Sequence, residues 1–137
     1  MNIMGHGVDL VEIAEIRRWI EDPSNPLIPR CFIREEVDEI GDGLDRVERL
    51  AGRFAAKEAV LKALGTGFGA GVAFSDVIIH RAAGEPPQVR LTGGAAKAAS
   101  ELGVIEWQLS ISHTGTTAMA SAIAIGRKPH GESAEPA

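Results

Sequence analysis

Glu58 is the residue whose position most strongly suggests chemistry. Apolar residues recur at helical spacing from about Leu44 to Leu64, and on that helix Glu58 falls inside the apolar arc, beside Phe54 and Val47. A buried carboxylate is costly unless it is paired with a cation or bound to a metal. Either Lys62, one turn later, forms an ordinary ion pair with Glu58, or Glu58 is a metal ligand. The spacing alone leaves both readings open.

Asp9 is a second acidic residue in an unusual place. It follows a predicted strand, Ile3–Val8, that contains Gly5 and Gly7. Apolar residues at helical spacing begin just after it, so Asp9 is expected to open a helix, and an ordinary helix cap would explain it. Together, Asp9 and Glu58 could supply the one or two carboxylates with which proteins usually hold Mg²⁺, while water and phosphate complete the shell. No His/Cys cluster indicates zinc.

A stripe of basic residues would suit a phosphate-bearing ligand or an acidic protein. Its members, at spacings of three and four on the long helix, are Arg46, Arg49, Arg53 and Lys57. Such stripes are more often solvated helix faces, and Glu48 interrupts this one. Both interpretations stand at this stage.

Two further segments could line a ligand. The glycine-rich residues 65–71 lie at a helix C-terminus, the wrong end for a helix-dipole phosphate site, and no P-loop signature follows. Ser112, His113 and Thr114 lie where a strand meets a turn, and their side chains could project into a cleft. A lone histidine in a turn is more often a surface residue.

The elements that must position these residues predict an α+β domain over residues 1–127, followed by a flexible polar tail at 128–137. Prolines between Asp22 and Pro29 end the first helix. Further helices are expected around Ile33–Ile40, over Leu44–Leu64 and over Ala95–Leu102. The further strands are expected at Val72–His80, Gln88–Leu91, Ile105–Ser112 and Thr117–Ile125.

Composition excludes several classes of protein. The chain has 137 residues, enough for one domain, and its net charge of -5 gives no support to nucleic-acid binding. A single cysteine, Cys31, excludes an internal disulfide and suits a reducing compartment. Neither a signal peptide nor a membrane-spanning run is evident, so the expected location is the cytoplasm.

Two longer motifs resemble those of the holo-acyl-carrier-protein synthase family, the small trimeric branch of the phosphopantetheinyl transferases. GVDLVE (Gly7–Glu12) resembles the first family motif, and RFAAKEAVLKALGTG (Arg53–Gly67) resembles the longer and more specific second. The strand FSDVII (Phe74–Ile79) and the late SISHT agree in order and spacing. The resemblance covers nearly all of residues 3–125.

The resemblance implies an α+β fold of the 4′-phosphopantetheinyl transferase type, with an antiparallel sheet packed against a long central helix. It also implies a homotrimer with active sites at the subunit interfaces. The implied reaction is Mg²⁺-dependent transfer of 4′-phosphopantetheine from coenzyme A to a serine of apo acyl carrier protein. Adenosine 3′,5′-bisphosphate would be released, and the product would serve fatty acid or polyketide biosynthesis.

The resemblance also implies a set of site residues. Asp9 and Glu58 would hold Mg²⁺, and Lys62 would contact the phosphates and could assist proton transfer. A metal-activated water or a neighbouring carboxylate would serve equally well as the base. The residues implied to bind coenzyme A are Arg53, Lys62, Gly65, Thr66, Gly67, Gly84, Pro86, Ser112, His113 and Thr114.

Two departures from the family pattern affect binding and leave the metal ligands unchanged. Glu15 stands where a basic residue often meets the acidic carrier protein, so Arg17 and Arg18 are the substitute docking residues. Ala83 replaces a frequent Asn, which removes one adenine-side hydrogen bond. Two rival functions are a metal-dependent hydrolase of nucleotide diphosphates and a non-catalytic coenzyme A-binding module.

Overall fold

The computed structural model describes residues 1–66 and 71–128. Its strands are β1 (Asn2–Glu12), β2 (Val77–His80), β3 (Gln88–Leu91), β4 (Val104–His113) and β5 (Thr117–Gly126). Its helices are α1 (Ile13–Glu21), α2 (Leu27–Cys31), α3 (Arg34–Ile40), α4 (Arg46–Leu64) and α5 (Gly93–Leu102). Within these ranges no helix has the length and apolar character needed to cross a bilayer.

The predicted α+β fold with an antiparallel sheet and a long helix is confirmed. Three strands form a sheet in the order β1-β5-β4, and β2 and β3 form a separate two-stranded sheet, with every pairing antiparallel. Helix α4 packs against the inner face of the larger sheet and is buried on almost every side. A helix buried on almost every side is typical of a protein centre, and the buried charges of α4, Arg53 and Lys57, therefore need partners from other elements.

Small residues allow the sheet and α4 to approach closely. The inward-facing residues of β5 are the fully buried alanines 118, 120, 122 and 124. On β1, a Cβ added at Gly5 would collide with the carbonyl oxygen of Ala63, and one added at Gly7 would collide with that of Ala59. Backbone therefore lies against backbone along this seam, which is why glycine is required at both positions.

The outer face of the same sheet carries exposed apolar side chains. Val8, Leu10 and Met119 have 40%, 65% and 41% of their surface accessible. In the register, Leu10 lies opposite Met119, so these side chains form a continuous patch. No other described element of the chain covers this face.

Several sequence predictions are corrected. Asp9 does not open a helix, because β1 continues in register with β5 to Glu12, opposite Thr117, and α1 begins only at Ile13. The proline segment contains a short helix, α2. The strand expected from Val72 begins at Val77, since residues 74–76 form a 3₁₀ turn in which the Asp76 carboxylate accepts the backbone N–H of Ala73.

Candidate active site

The geometry of β1 and α4 brings Asp9 and Lys62 together. Lys62 Nζ donates to Asp9 Oδ1 at 2.9 Å and to the carbonyl oxygen of Val8 at 3.0 Å. Asp9 is 8% exposed, whereas the Lys62 side chain is 55% exposed. The hydrogen bond to Asp9 raises the pKa of Lys62. Lys62 is therefore a cation whose ammonium group is held by Asp9 and Val8 while its side chain stays largely exposed.

Glu58 lies beside this pair, half-buried on the same helix. The sequence pattern predicts that Glu58 lies inside the apolar core. In the structure it lies at the edge of the core, on the side of α4 that faces Asp9. Burial and the negative charge of Asp9 raise its pKa from 4.5 to about 7, with Lys62 opposing the shift. Two carboxylates held this close repel each other and favour a proton or a cation between them. We refer to Asp9, Glu58 and Lys62 as the carboxylate site.

The carboxylate site has the features expected of a Mg²⁺ site. Asp9 Oδ2 is buried and has no hydrogen-bond partner among the described residues, whereas Oδ1 is held by Lys62. In the ranges 1–66 and 71–128 no group of three or more His, Cys, Asp and Glu side chains gathers as a metal site. Mg²⁺ is commonly bound by one or two carboxylates plus substrate phosphates and water. Asp9 and Glu58 therefore fit this ion.

The end of α4 leads into the glycine-rich segment. Gly65 adopts a left-handed conformation with a φ of 75° and its N–H caps the carbonyls of Leu61 and Lys62. Thr66 follows and is half-buried. Gly67, the third candidate from this segment, lies outside the described residues. Gly65 and Thr66 thus follow Lys62 at the C-terminal end of α4.

A second group of candidates surrounds a cavity of about 250 Å³ on another side of α4. We call it the arginine pocket, and its basic lining residues are Arg49, Arg53, Arg81 and His113. Asp45 and Glu48 also border it, so opposite charges meet at its rim.

The Arg53 side chain in this pocket is only 6% exposed. Its Nη2 lies 2.9 Å from Glu39 Oε1 in an ion pair, and its Nη1 is buried with no partner in the described part of the chain. A buried guanidinium with one unused nitrogen is suited to an anionic ligand.

The carboxylate site and the arginine pocket are separate within one chain. Arg53 and Glu58 are five positions apart on α4, so their side chains leave the helix about 140° apart. Strand β1, which carries Asp9, and strand β4, which carries His113, lie on opposite sides of β5. None of the three carboxylate-site residues is among the described residues that line the arginine pocket.

The remaining candidates are distributed around the β4 end of the molecule. Ser112 lies opposite Met119 on the outer face of the sheet, while the Thr114 hydroxyl accepts the N–H groups of Thr116 and Thr117 in the turn. Gly84, with a φ of 77°, lies in the β2–β3 turn. Pro86 borders a groove of mixed polar and apolar lining that also contains Trp107.

Lys57 is not part of an exposed basic stripe, which corrects the sequence interpretation. Its side chain is 0% exposed and its Nζ donates to Glu36 Oε1 at 2.9 Å, to the carbonyl of Phe74 at 3.3 Å and to the carbonyl of Val77. Glu36 Oε2 also accepts the N–H of Ile79 at 2.9 Å. Burial lowers the pKa of Lys57, and Glu36 opposes that shift.

Glu36 and Glu39, the acidic partners of Lys57 and Arg53, were missed by sequence reasoning. On α3 they look like ordinary acidic residues of a helix face. The signal available was the pair of basic residues on a largely apolar helix, since such cations need anions elsewhere in the fold.

The proposed docking residues Arg17 and Arg18 are exposed on α1. Arg18 Nη2 lies 3.7 Å from Glu15 Oε2, and the Arg18 side chain is 73% exposed. This contact is a surface ion pair of the kind that contributes little to stability. Both arginines are therefore available to a partner.

Comparison with known proteins agrees with the geometry. A family model for the 4′-phosphopantetheinyl transferase superfamily matches residues 5–122. A holo-[acyl-carrier-protein] synthase of Desulforudis audaxviator is 46% identical over 124 residues, covering 90% of this chain and 94% of the relative. One from Hydrogenovibrio crunogenus is 40% identical over 125 residues, covering 91% and 98%.

Solved structures give the same result. The holo-[acyl-carrier-protein] synthase of Neisseria meningitidis superposes with a TM-score of 0.80 at 33% identity, covering 90% of this chain and 99% of that one. A coenzyme A complex from Chronobacterium ammoniagenes gives 0.78 at 30% identity, covering 90% and 98%. The chain therefore belongs to the 4′-phosphopantetheinyl transferase superfamily, within its holo-acyl-carrier-protein synthase family.

Proposed function

We propose that this enzyme transfers 4′-phosphopantetheine from coenzyme A to a serine of an apo acyl carrier protein in a Mg²⁺-dependent reaction. The observation that carries the proposal is the carboxylate site. Asp9 lies beside Glu58, its buried Oδ2 has no hydrogen-bond partner among residues 1–66 and 71–128, and its Oδ1 accepts from Lys62. Similar structures include complexes with coenzyme A. The acceptor would be a carrier protein of fatty acid or polyketide synthesis, and the expected compartment is the cytoplasm.

Asp9 and Glu58 would hold the metal. The chemistry that Mg²⁺ supplies when bound is neutralisation of charge on the diphosphate and on the leaving phosphate. Lys62 Nζ uses two of its three N–H donors on Asp9 and Val8, which leaves one for a diphosphate oxygen. Lys62 thus orients Asp9 and offers a positive charge to the substrate at the same time.

The group transfer itself is a displacement at phosphorus. The serine oxygen bonds to the β-phosphorus of coenzyme A, and the bond between that phosphorus and the bridging oxygen breaks. Adenosine 3′,5′-bisphosphate leaves with the bonding electrons, and the serine proton passes to a base. Lys62 is a cation with a raised pKa and has no lone pair for this proton, so the candidate bases are a neighbouring carboxylate and a water molecule.

We propose that the arginine pocket binds the ribose 3′-phosphate of coenzyme A, which does not take part in the reaction at the carboxylate site. Coenzyme A carries a diphosphate and a ribose 3′-phosphate, and only the diphosphate belongs at the reacting centre. The buried Nη1 of Arg53 and the ring of His113 suit the remaining phosphate. Gly84 and Pro86 border the adjoining surface and would contact the base and ribose.

The separation of the two groups within one chain supports a homotrimer. In such a ring one copy would supply the carboxylate site and its neighbour the arginine pocket. The apolar outer face around Val8, Leu10 and Met119 would be the buried surface between copies. Light scattering in solution should then give three times the 14.5 kDa of one chain.

A carrier-protein assay tests the function. Apo carrier protein incubated with this enzyme, coenzyme A and Mg²⁺ should gain the mass of phosphopantetheine, and chelation of the metal should stop the gain. Equal release of adenosine 3′,5′-bisphosphate without carrier protein would indicate the rival hydrolase. Binding of coenzyme A with no product in either case would indicate the non-catalytic module.

Docking of the carrier protein is assigned to the exposed arginines of α1. Changing Arg17 and Arg18 together to Glu should raise the KM for carrier protein by about tenfold, because an acidic partner would meet two reversed charges. The KM for coenzyme A should stay unchanged. A carrier-protein KM equal to that of the wild type would rule out this surface.

A further inference from the structure

One carboxylate, that of Glu39 in the last turn of α3, organises the arginine pocket. Glu39 Oε1 lies 2.9 Å from Arg53 Nη2 in an ion pair and accepts the backbone N–H of Arg81 at 2.8 Å. Its Oε2 contacts His80 Nδ1 at 2.5 Å. Both oxygens are occupied, so the side chain has little freedom to rotate. Glu39 therefore fixes Arg53 directly and the chain at Arg81 through its backbone.

The third arginine is held by the same turn of helix. Arg49 Nη1 donates to the carbonyl oxygen of Ile40 at 2.8 Å, and its Nη2 approaches that of Glu39 at 3.5 Å. Cations at a helix C-terminus satisfy carbonyls that have no partner within the helix. The last turn of α3 is thus the common support of Arg49, Arg53 and Arg81.

The contact between Glu39 and Arg53 is largely shielded from water. The Arg53 side chain is 6% exposed and that of Glu39 is 21% exposed. Burial alone would raise the pKa of Glu39, but the N–H of Arg81 and the charge of Arg53 outweigh it and lower that pKa, so Glu39 is ionised. Nη2 of Arg53 pairs with Glu39, whereas Nη1 is buried, has no partner among residues 1–66 and 71–128, and is open to a ligand.

We propose that Glu39 is a positioning residue for nucleotide recognition, which acts by holding Arg53 with Nη1 directed at the ribose 3′-phosphate of coenzyme A. The inference rests on the proposed function and adds a residue that does not itself touch the substrate. A carboxylate near an anion site could instead compete with the phosphate for Arg53. The two roles predict opposite effects when the carboxylate is removed.

The test is the preference of the whole protein for adenosine 3′,5′-bisphosphate over adenosine 5′-phosphate, measured by calorimetry without metal or carrier protein. The variants are Glu39→Ala and Glu39→Gln. Glu35→Gln is the matched control, since Glu35 lies one turn earlier on α3 in an exposed pair with Arg90, at 3.1 Å. Wild type and control should share the same preference. Glu39→Ala should reduce it about tenfold, the value of one charge-assisted contact.

Steady-state kinetics separate positioning from general damage. Glu39→Ala should raise the KM for coenzyme A while kcat and the KM for 3′-dephospho-coenzyme A stay within about twofold. Glu39→Gln keeps an acceptor for Arg53 and Arg81, so it should lose less of the preference and remain folded if Glu39→Ala does not. In an Arg53→Ala background, Glu39→Gln should have no further effect on the preference.

The outcomes distinguish this inference from the proposed function. A wild type that binds both nucleotides equally would overturn the assignment of the arginine pocket, and this inference with it. A wild type with the preference but Glu39 variants that keep or increase it would overturn the positioning role alone. An equal loss in Glu35→Gln, or a further loss in the Arg53→Ala background, would also overturn it.

Discussion

Two lysines on α4, Lys57 and Lys62, each pair with an acid from another element. The two pairs differ in whether all of their buried donors and acceptors have hydrogen-bond partners. Lys57 and Glu36 are 0% and 1% exposed, and every one of the Lys57 donors has an acceptor. The side chains of Lys62 and Asp9 are 55% and 10% exposed, and Asp9 keeps a buried oxygen without a partner in the described part of the chain. Both lysines belong to the same motif of the sequence.

The difference teaches how a structural charge is distinguished from a functional one. A fully satisfied ion pair has no capacity left for a ligand, and its removal leaves a buried charge uncompensated. At the incompletely satisfied site, the carboxylates of Asp9 and Glu58 repel each other, as the raised pKa of Glu58 indicates, and a bound cation would relieve that repulsion. Type and spacing of the residues do not separate the two cases, but their hydrogen-bond partners do.

The largest expected effect is on catalysis at the unsatisfied site. Asp9→Ala or Glu58→Ala should reduce transfer by about a thousandfold or more, because each removes a proposed Mg²⁺ ligand worth several kcal/mol in the transition state. The mass of the carrier protein after incubation reports the loss, and circular dichroism should report an intact fold. Full transfer by either variant would refute the metal assignment.

The next effect is on stability at the satisfied site. Lys57→Met should lower the free energy of unfolding by about 3–5 kcal/mol, because Glu36 would be left buried without its cation. Lys62→Met is the matched change on the same helix and should cost less, about 1–2 kcal/mol, since Lys62 is largely exposed although Asp9 would lose its hydrogen-bonded partner. Urea unfolding at equal protein concentration measures both. Similar losses of unfolding free energy in the two variants would contradict the distinction between a structural pair, Lys57–Glu36, and a functional pair, Lys62–Asp9.

The smallest effect concerns the repulsion at Glu58 in metal-free protein. Its pKa is raised from 4.5 to about 7, so the folded protein binds the proton more tightly and loses stability as the pH rises through that range. Glu58→Gln removes the charge and should stabilise the protein by about 1 kcal/mol or less at pH 8, after allowance for solvent screening, and by less at pH 5.

Thermal unfolding with excess chelator gives this measurement, and added Mg²⁺ provides the contrast. The metal should raise the Tm of the wild type more than that of Glu58→Gln. A Glu58→Gln variant with an unchanged Tm at both pH values would show that the two carboxylates do not repel.

The sequence predicts α4, α5 and strands β3 to β5 well, because their periodicity is local and long enough to be read. It also predicts the juxtaposition of Asp9 with α4, but not that Asp9 lies in mid-strand, since the pairing of β1 with β5 spans more than a hundred residues. Lys57 was read as exposed because its partner, Glu36, is 21 positions away on a different helix. Long-range pairing is information that no local pattern contains.

The glycine seam between β1 and α4 has a consequence for how the enzyme can fail. The spacing of Asp9 from Glu58 is set where main chain meets main chain, at Gly5 against Ala63 and Gly7 against Ala59. A methyl group at either glycine would force the strand away from the helix and carry Asp9 with it. A screen for inactive variants would thus recover changes at Gly5 and Gly7. In these variants every reactive side chain is intact, and only the distance between the carboxylates of Asp9 and Glu58 is increased.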